Sequence, residues 1–334
     1  MMEGEIINFI NVRYVAITMF LYSYTIGKVV PQGRGRLIAL FPPILILFLL
    51  PIWLTNPHYI ILTTFCFSWL STFKLLLFAF AKGPLSSNPP HSLFYFLLLV
   101  SLPIKIDHNN SKNQNQIKFK LTPFKLFELL VMSILLYFFV LPNQKKESFH
   151  PLMLTFLNFL HFYFGLEILF AMITTIACKI LQLELEKPFD KPYLSTSPQE
   201  FWGKRWNFMV SRILHPTVYK PMVKAFSHVI GRKWAPIPAV VVTFMVSGLM
   251  HELIYYNLKR KNIATWEAWE PCWDSMFFFF IHGVFVALQI AYKKTFKPKQ
   301  QLLPWIVSCT FTLTFVMTTA LTLVIPTFFR SAER

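Results

Sequence analysis

The chain has 334 residues, of which 55% are hydrophobic, 17% aromatic and only 14% charged. That apolar share exceeds what an ordinary soluble domain carries, and long apolar runs recur from end to end, which argues against a soluble fold. The formal charge of +17 at pH 7 does not signal nucleic acid, because Lys and Arg sit in short connectors between apolar runs, where phospholipid is their partner. Four cysteines, Cys66, Cys178, Cys272 and Cys309, lie far apart, with no CxxC pair and no histidine cluster at metal-ligand spacing. Neither a disulfide framework nor a metal site is expected.

The N-terminus, MMEGEIINFI, lacks the basic region and cleavage site of a signal peptide, so its apolar stretch is expected to remain in the mature protein. A hydrocarbon core about 30 Å thick takes roughly 20 apolar residues of helix to cross. Eight segments qualify in chain order: 6–26, 37–54, 58–81, 121–141, 151–181, 236–256, 274–292 and 303–326. The predicted fold class is therefore all-α, a polytopic membrane helix bundle forming one domain over 1–334. Pro42 and Pro43 inside the second span are expected to kink it. Residues 91–104 are apolar but too short for a span and end near Pro103, so they suit an interfacial or re-entrant helix. The Asn- and Gln-rich stretch 105–120 is expected to be a flexible loop carrying the sequon Asn109-Asn110-Ser111.

If these spans alternate, 21 of the 32 Lys and Arg residues fall on one side and 7 on the other. The rich side holds Lys28, Arg34 and Arg36, the basic residues of 82–120, nine more in 182–235, and Lys293, Lys294, Lys297 and Lys299. The positive-inside rule makes that side cytosolic and both termini lumenal, leaving Asn109 in the cytosol and unglycosylated. Arg13, Lys74, Lys125 and Lys179 lie within spans, most of them near enough to an end to snorkel.

Chemistry concentrates between 186 and 256. First comes a polar, aromatic and basic connector, EKPFDKPYLSTSPQEFWGKRWN, and then a membrane helix ending SGLMHELIYY. An ionisable side chain inside a membrane helix is costly unless it faces a cavity or a partner. His251 is suited to general base work, since neutral imidazole accepts a proton at neutral pH and can return it. The alternative is an interhelical hydrogen bonder. Glu252 lies about 100° round the helix from it and is expected to pair with a neighbouring helix. Ser247 and Gly248 form a small-residue turn that admits close approach. His161 and His282 also lie in spans, but neither is followed by an acid or set beside a polar aromatic loop.

DKPYLSTSPQEFWGKRWNFMVSRIL followed by SGLMHELIYY closely resembles the plant wax synthase branch of the membrane-bound O-acyltransferase superfamily. So do Phe73-Lys74-Leu75-Leu76-Leu77, Gly83-Pro84-Leu85-Ser86 and Leu102-Pro103-Ile104-Lys105-Ile106. The resemblance runs over nearly the whole chain, with Lys204 in place of a common arginine and Pro198 in place of a common leucine. It implies that His251 is the catalytic histidine and Asn207 the second signature polar residue. It further implies an intramembrane reaction chamber, cytosolic access for acyl-CoA, and residence in the endoplasmic reticulum.

Acyl transfer from a thioester to an alcohol needs a base, a stabilised oxyanion and exclusion of water. His251 would supply the first, and Asn207 either the second or the positioning of acyl-CoA. Lys204 and Arg205, with Arg212 nearby, offer cations for the CoA phosphates or are positive-inside charge alone. Trp202 and Trp206 either wall the thioester channel or mark the membrane interface. No GxSxG elbow is present for an acyl-enzyme, and acyl-CoA is expected as co-substrate with no metal or prosthetic group. The acceptor is a long-chain alcohol or, in the alternative, a sterol. A transporter or scramblase would show buried charges along several helices or inverted repeats.

Overall fold

The structure is a computed structural model describing residues 2–86, 92–104, 130, 131, 134, 151–181, 188–260, 271–296 and 303–332. Among these no strand occurs, and seven helices are long and apolar enough to cross a membrane. The fold is all-α and polytopic. Helix α1 spans Met2–Val29, α2 Arg34–Leu49, α3 Pro57–Ala79 and α4 Leu93–Ser101. Then come α5 at Pro151–Leu181, α6 at Phe208–Leu214, α7 at Lys220–Trp234, α8 at Pro236–Lys259, α9 at Trp273–Phe296 and α10 at Trp305–Phe328. The helix α2 runs unbroken through Pro42 and Pro43. The expected span at 121–141 lies almost wholly, and the sequon at Asn109 wholly, outside the described residues.

Contacts between helix ends set the alternation. At one end Glu5 accepts from the backbone amides of Thr55 and Asn56, each at 2.7 Å, and Arg260 donates to the Ile52 carbonyl at 2.5 Å. At the other end the Gly33 amide donates to Ala79 at 2.8 Å, and Arg36 reaches the carbonyls of Gly27, Val30 and Phe78. There too Lys293 donates to the Gln199 side chain at 2.6 Å and Lys294 to the Lys233 carbonyl. The cation-rich connectors 28–36 and 232–235 and the end of α9 therefore share one face of the bundle, as positive-inside charge requires.

The helix α4 runs into the bundle from the basic end. Its Phe96 packs on Phe78 near the basic end, while Val100 accepts from the Ser71 hydroxyl at 2.8 Å, deeper in the bundle. Lys74, expected among the snorkelling cations, is instead buried and points inward. Its ammonium donates to the carbonyls of Leu99 and Leu102 at 2.6 and 2.5 Å. A cation at a helix C-terminus satisfies carbonyls that hydrocarbon cannot, and the interaction joins the FKLLL and LPIKI elements. Arg13 is half-buried, its guanidinium 4.2 Å from the Phe9 ring centroid and 4.6 Å from that of Phe67.

Candidate active site

The connector after α5 folds by local rules. Ser197 caps the turn Pro198–Glu200, accepting from the Glu200 amide at 3.2 Å, with Pro198 at the first helical position, where its missing N–H costs nothing. Glu200 reaches back to the Thr196 amide at 2.9 Å and hydroxyl at 2.7 Å, and binds Arg205 at 2.9 Å. Burial alone would raise this carboxyl, but the bonds from Thr196 and Arg205 outweigh it and hold it below the ordinary carboxylate range. A π turn, Phe201–Arg205, follows and throws Trp202 and Trp206 to different partners. Trp206 stacks on Phe201 and Tyr163, whereas Trp202 packs on Phe244 of α8 and on Phe278 and Phe279 of α9.

Asn207 then takes a left-handed conformation, φ 39°, which Asn tolerates better than most residues, and caps α6 by accepting from the Val210 amide at 3.3 Å. Because the side-chain oxygen is the acceptor, the Nδ2 amide is the group left to face outward. None of the hydrogen bonds among the described residues uses it. The helix α6, which Asn207 caps, packs through Val210, Ile213 and Leu214 in one cluster with Trp69 and with Met250, the residue before His251.

His251 lies on α8 with Nδ1 2.8 Å from the Ser247 carbonyl. A carbonyl only accepts, so the proton sits on Nδ1 and the Nε2 lone pair is free. The ring is held between Phe279, 4.5 Å away, and the edge of Trp69, at 5.3 Å. Glu252 points elsewhere. It is buried and accepts from the Cys272 amide at 2.7 Å, capping the start of α9, the interhelical role expected of it.

His251, Asn207, Trp202 and Trp206 all line one apolar cavity of about 980 Å³. The lining follows α8 from Val240 to Tyr255, about 22 Å at the helical rise. Gln199 marks its basic end, and His58 and Phe328 the opposite end. Each of the four π segments among the described residues, 64–71, 201–205, 215–219 and 320–324, contributes to it, as such bulges often do at functional sites. Lys204 and Arg205 do not line it. Lys204 is exposed at the surface beside Gly203, and Arg205 is engaged by Glu200 and the Asp190 carbonyl. His215 and Tyr219, stacked 5.2 Å apart, do line it, and neither was singled out in sequence. Burial, then Lys220 and Arg212, push the His215 pKa down. Trp69 and Phe279 were missed as well, because nothing in an apolar run tells which aromatic meets a histidine. Among the described residues no group of His, Cys, Asp and Glu gathers as a metal site would need.

A long, mostly apolar chamber inside a helical bundle, furnished with an imidazole and an amide, is the kind of site a membrane-embedded enzyme acting on lipids needs. Comparison with known proteins makes the class definite. The profile described as the membrane bound O-acyl transferase family matches residues 185–281. Over 331 residues the chain is 40% identical to acyl-CoA–sterol O-acyltransferase 1 of Arabidopsis thaliana, covering 97% of this chain and 91% of that protein. It is 36% identical to the long-chain-alcohol O-fatty-acyltransferase of Simmondsia chinensis, covering 97% and 90% respectively. A probable long-chain-alcohol O-fatty-acyltransferase 2 of Arabidopsis thaliana is also 36% identical, with 88% of this chain and 82% of that protein covered. The chain belongs to the membrane-bound O-acyltransferase family, and it is an integral membrane protein and an acyltransferase.

Proposed function

We propose that the enzyme transfers a fatty acyl group from acyl-CoA to the hydroxyl of a long-chain alcohol, releasing a wax ester and free CoA. The observation that carries this mechanism is the Nδ1 bond of His251 to Ser247, which leaves Nε2 as a base in a chamber shared with the Asn207 amide. Nε2 takes the alcohol proton as the oxygen attacks the thioester carbonyl carbon. Asn207 Nδ2 donates to the oxyanion. Collapse breaks the C–S bond, and the imidazolium returns its proton to the departing thiolate. No acyl-enzyme, metal or prosthetic group enters the scheme, and acyl-CoA is a co-substrate.

Acyl-CoA approaches from the basic, cytosolic face, with Trp202 and Trp206 walling the thioester's path. Lys204 meets the phosphates at the surface, and Arg205 supports the turn that carries both tryptophans. A cavity of about 980 Å³ stands near the top of the roughly 300–1,000 Å³ range of ligand sites, which suits two lipid substrates better than one. We place the enzyme in the endoplasmic reticulum membrane, to be checked by co-fractionation with markers of that compartment.

A second reading, transfer to a sterol, is favoured by the 40% identity to a sterol acyltransferase. Membranes expressing the chain, given labelled acyl-CoA with either a linear alcohol or a sterol, decide between them. Labelled wax ester is expected; steryl ester alone moves the assignment to the second reading, and neither product removes both.

A further inference from the structure

A second histidine sits in the bundle with every polar atom committed. His282 on α9 is fully buried, and its Nδ1 accepts from the Trp202 indole N–H at 3.0 Å. Its Nε2 lies 2.9 Å from the Thr319 hydroxyl, and that hydroxyl donates to the Phe315 carbonyl at 2.8 Å. Indole nitrogen can only donate, so Nδ1 carries no proton, and the single proton of the neutral ring is on Nε2, donated to Thr319. This tautomer is the reverse of that at His251. It has no free lone pair, and protonating it would break the Trp202 bond.

The bond has a destination. Trp202, a wall of the chamber, packs edge-on to Phe244, 5.6 Å between centroids, and lies 6.1 Å from Phe279. Phe279 in turn lies 4.5 Å from the His251 ring. A continuous set of contacts thus runs from Thr319 through His282, Trp202 and Phe279 to the base.

Resting on the function argued above, we propose that His282 is a positioning residue. It holds the Trp202 indole in one orientation, and through Trp202 and Phe279 it fixes the angle at which His251 presents Nε2 to the acceptor hydroxyl. A ring that only donates onward and only accepts from indole takes no part in proton transfer. Its worth to the reaction is orientation, where small misplacements are expensive.

The test uses the full-length enzyme in detergent or vesicles. His282→Asn keeps an acceptor where Nδ1 stood, while His282→Leu removes it and Trp202→Phe removes the donor. His282→Asn is expected to retain turnover within about threefold, with an unchanged pH profile of kcat/KM. His282→Leu is expected to lose roughly tenfold or more in kcat, with the KM for acyl-CoA little altered. Trp202→Phe with His282→Leu should lose no more than the worse single variant, in turnover and in melting temperature alike. Additive losses, full activity in His282→Leu, or a His282→Asn enzyme as dead as His282→Leu would each overturn the proposal. If wild-type protein transfers to neither acceptor, the functional assignment falls with it. The melting-temperature cycle still decides separately whether Trp202 and His282 are coupled.

Discussion

Asn207 has two jobs that a single substitution confounds. Replacing it with alanine removes the cap on α6, worth about 1 kcal/mol, and places an unsuited residue at a positive φ, besides deleting the amide donor. Asn207→Asp separates them, since a carboxylate still accepts from Val210 and tolerates the left-handed backbone but offers no donor. It is expected to fold and insert normally yet to lose about 10²–10³-fold in kcat, the usual cost of one oxyanion donor. His251→Ala should abolish ester formation at normal expression. Glu252→Gln, which keeps an acceptor for Cys272, should leave turnover close to wild type, whereas Glu252→Ala strands that amide at a cost of about 1–3 kcal/mol, read as a lower melting temperature. His251 and Asn207 were legible because a costly imidazole and a recognisable polar motif both lie in one short stretch. The partner of Trp202 was not, being 80 residues further along the chain.

Helices α8 and α9 must approach closely for this geometry to exist. A Cβ at Gly283 would lie 2.9 Å from the Cβ of Phe244 and 3.4 Å from the Cα of Val241, and backbone cannot step aside. At Gly248 it would meet the Met276 sulfur at 2.9 Å. Gly283→Val is therefore expected to force the pair apart, costing about 1–3 kcal/mol of stability and lowering kcat as Phe279 and His282 move relative to His251. Gly165→Ala, with nothing within 4 Å, is the control and should melt and turn over as wild type. The glycines were visible in sequence, but which helix presses on each follows only from how two apolar cylinders dock.

The bundle as a whole is oriented by its cations. In sealed microsomes, whose outer face is cytosolic, a membrane-impermeant maleimide should label Arg34→Cys directly and Thr55→Cys only after permeabilisation. The native cysteines add little background, because Cys66, Cys272 and Cys309 are buried and Cys178 sits within a span. The opposite pattern would invert the topology and with it the side from which acyl-CoA arrives.

Hydrocarbon imposes one rule, that backbone polar groups be satisfied within each segment, so apolar length alone determined an all-α polytopic bundle, and the basic connectors predict its sidedness. Two of the chamber's polar residues were also readable, His251 because a membrane helix carries an imidazole only at a cost, and Asn207 because it lies in a recognisable polar motif. What only the tertiary structure decided is where each cation and ring is spent. Lys74 caps a short buried helix, Arg205 braces a turn, and His282 holds a tryptophan. Those partners are remote in sequence, and a side chain's orientation around an apolar helix is settled by the neighbour it meets, not by the residues beside it.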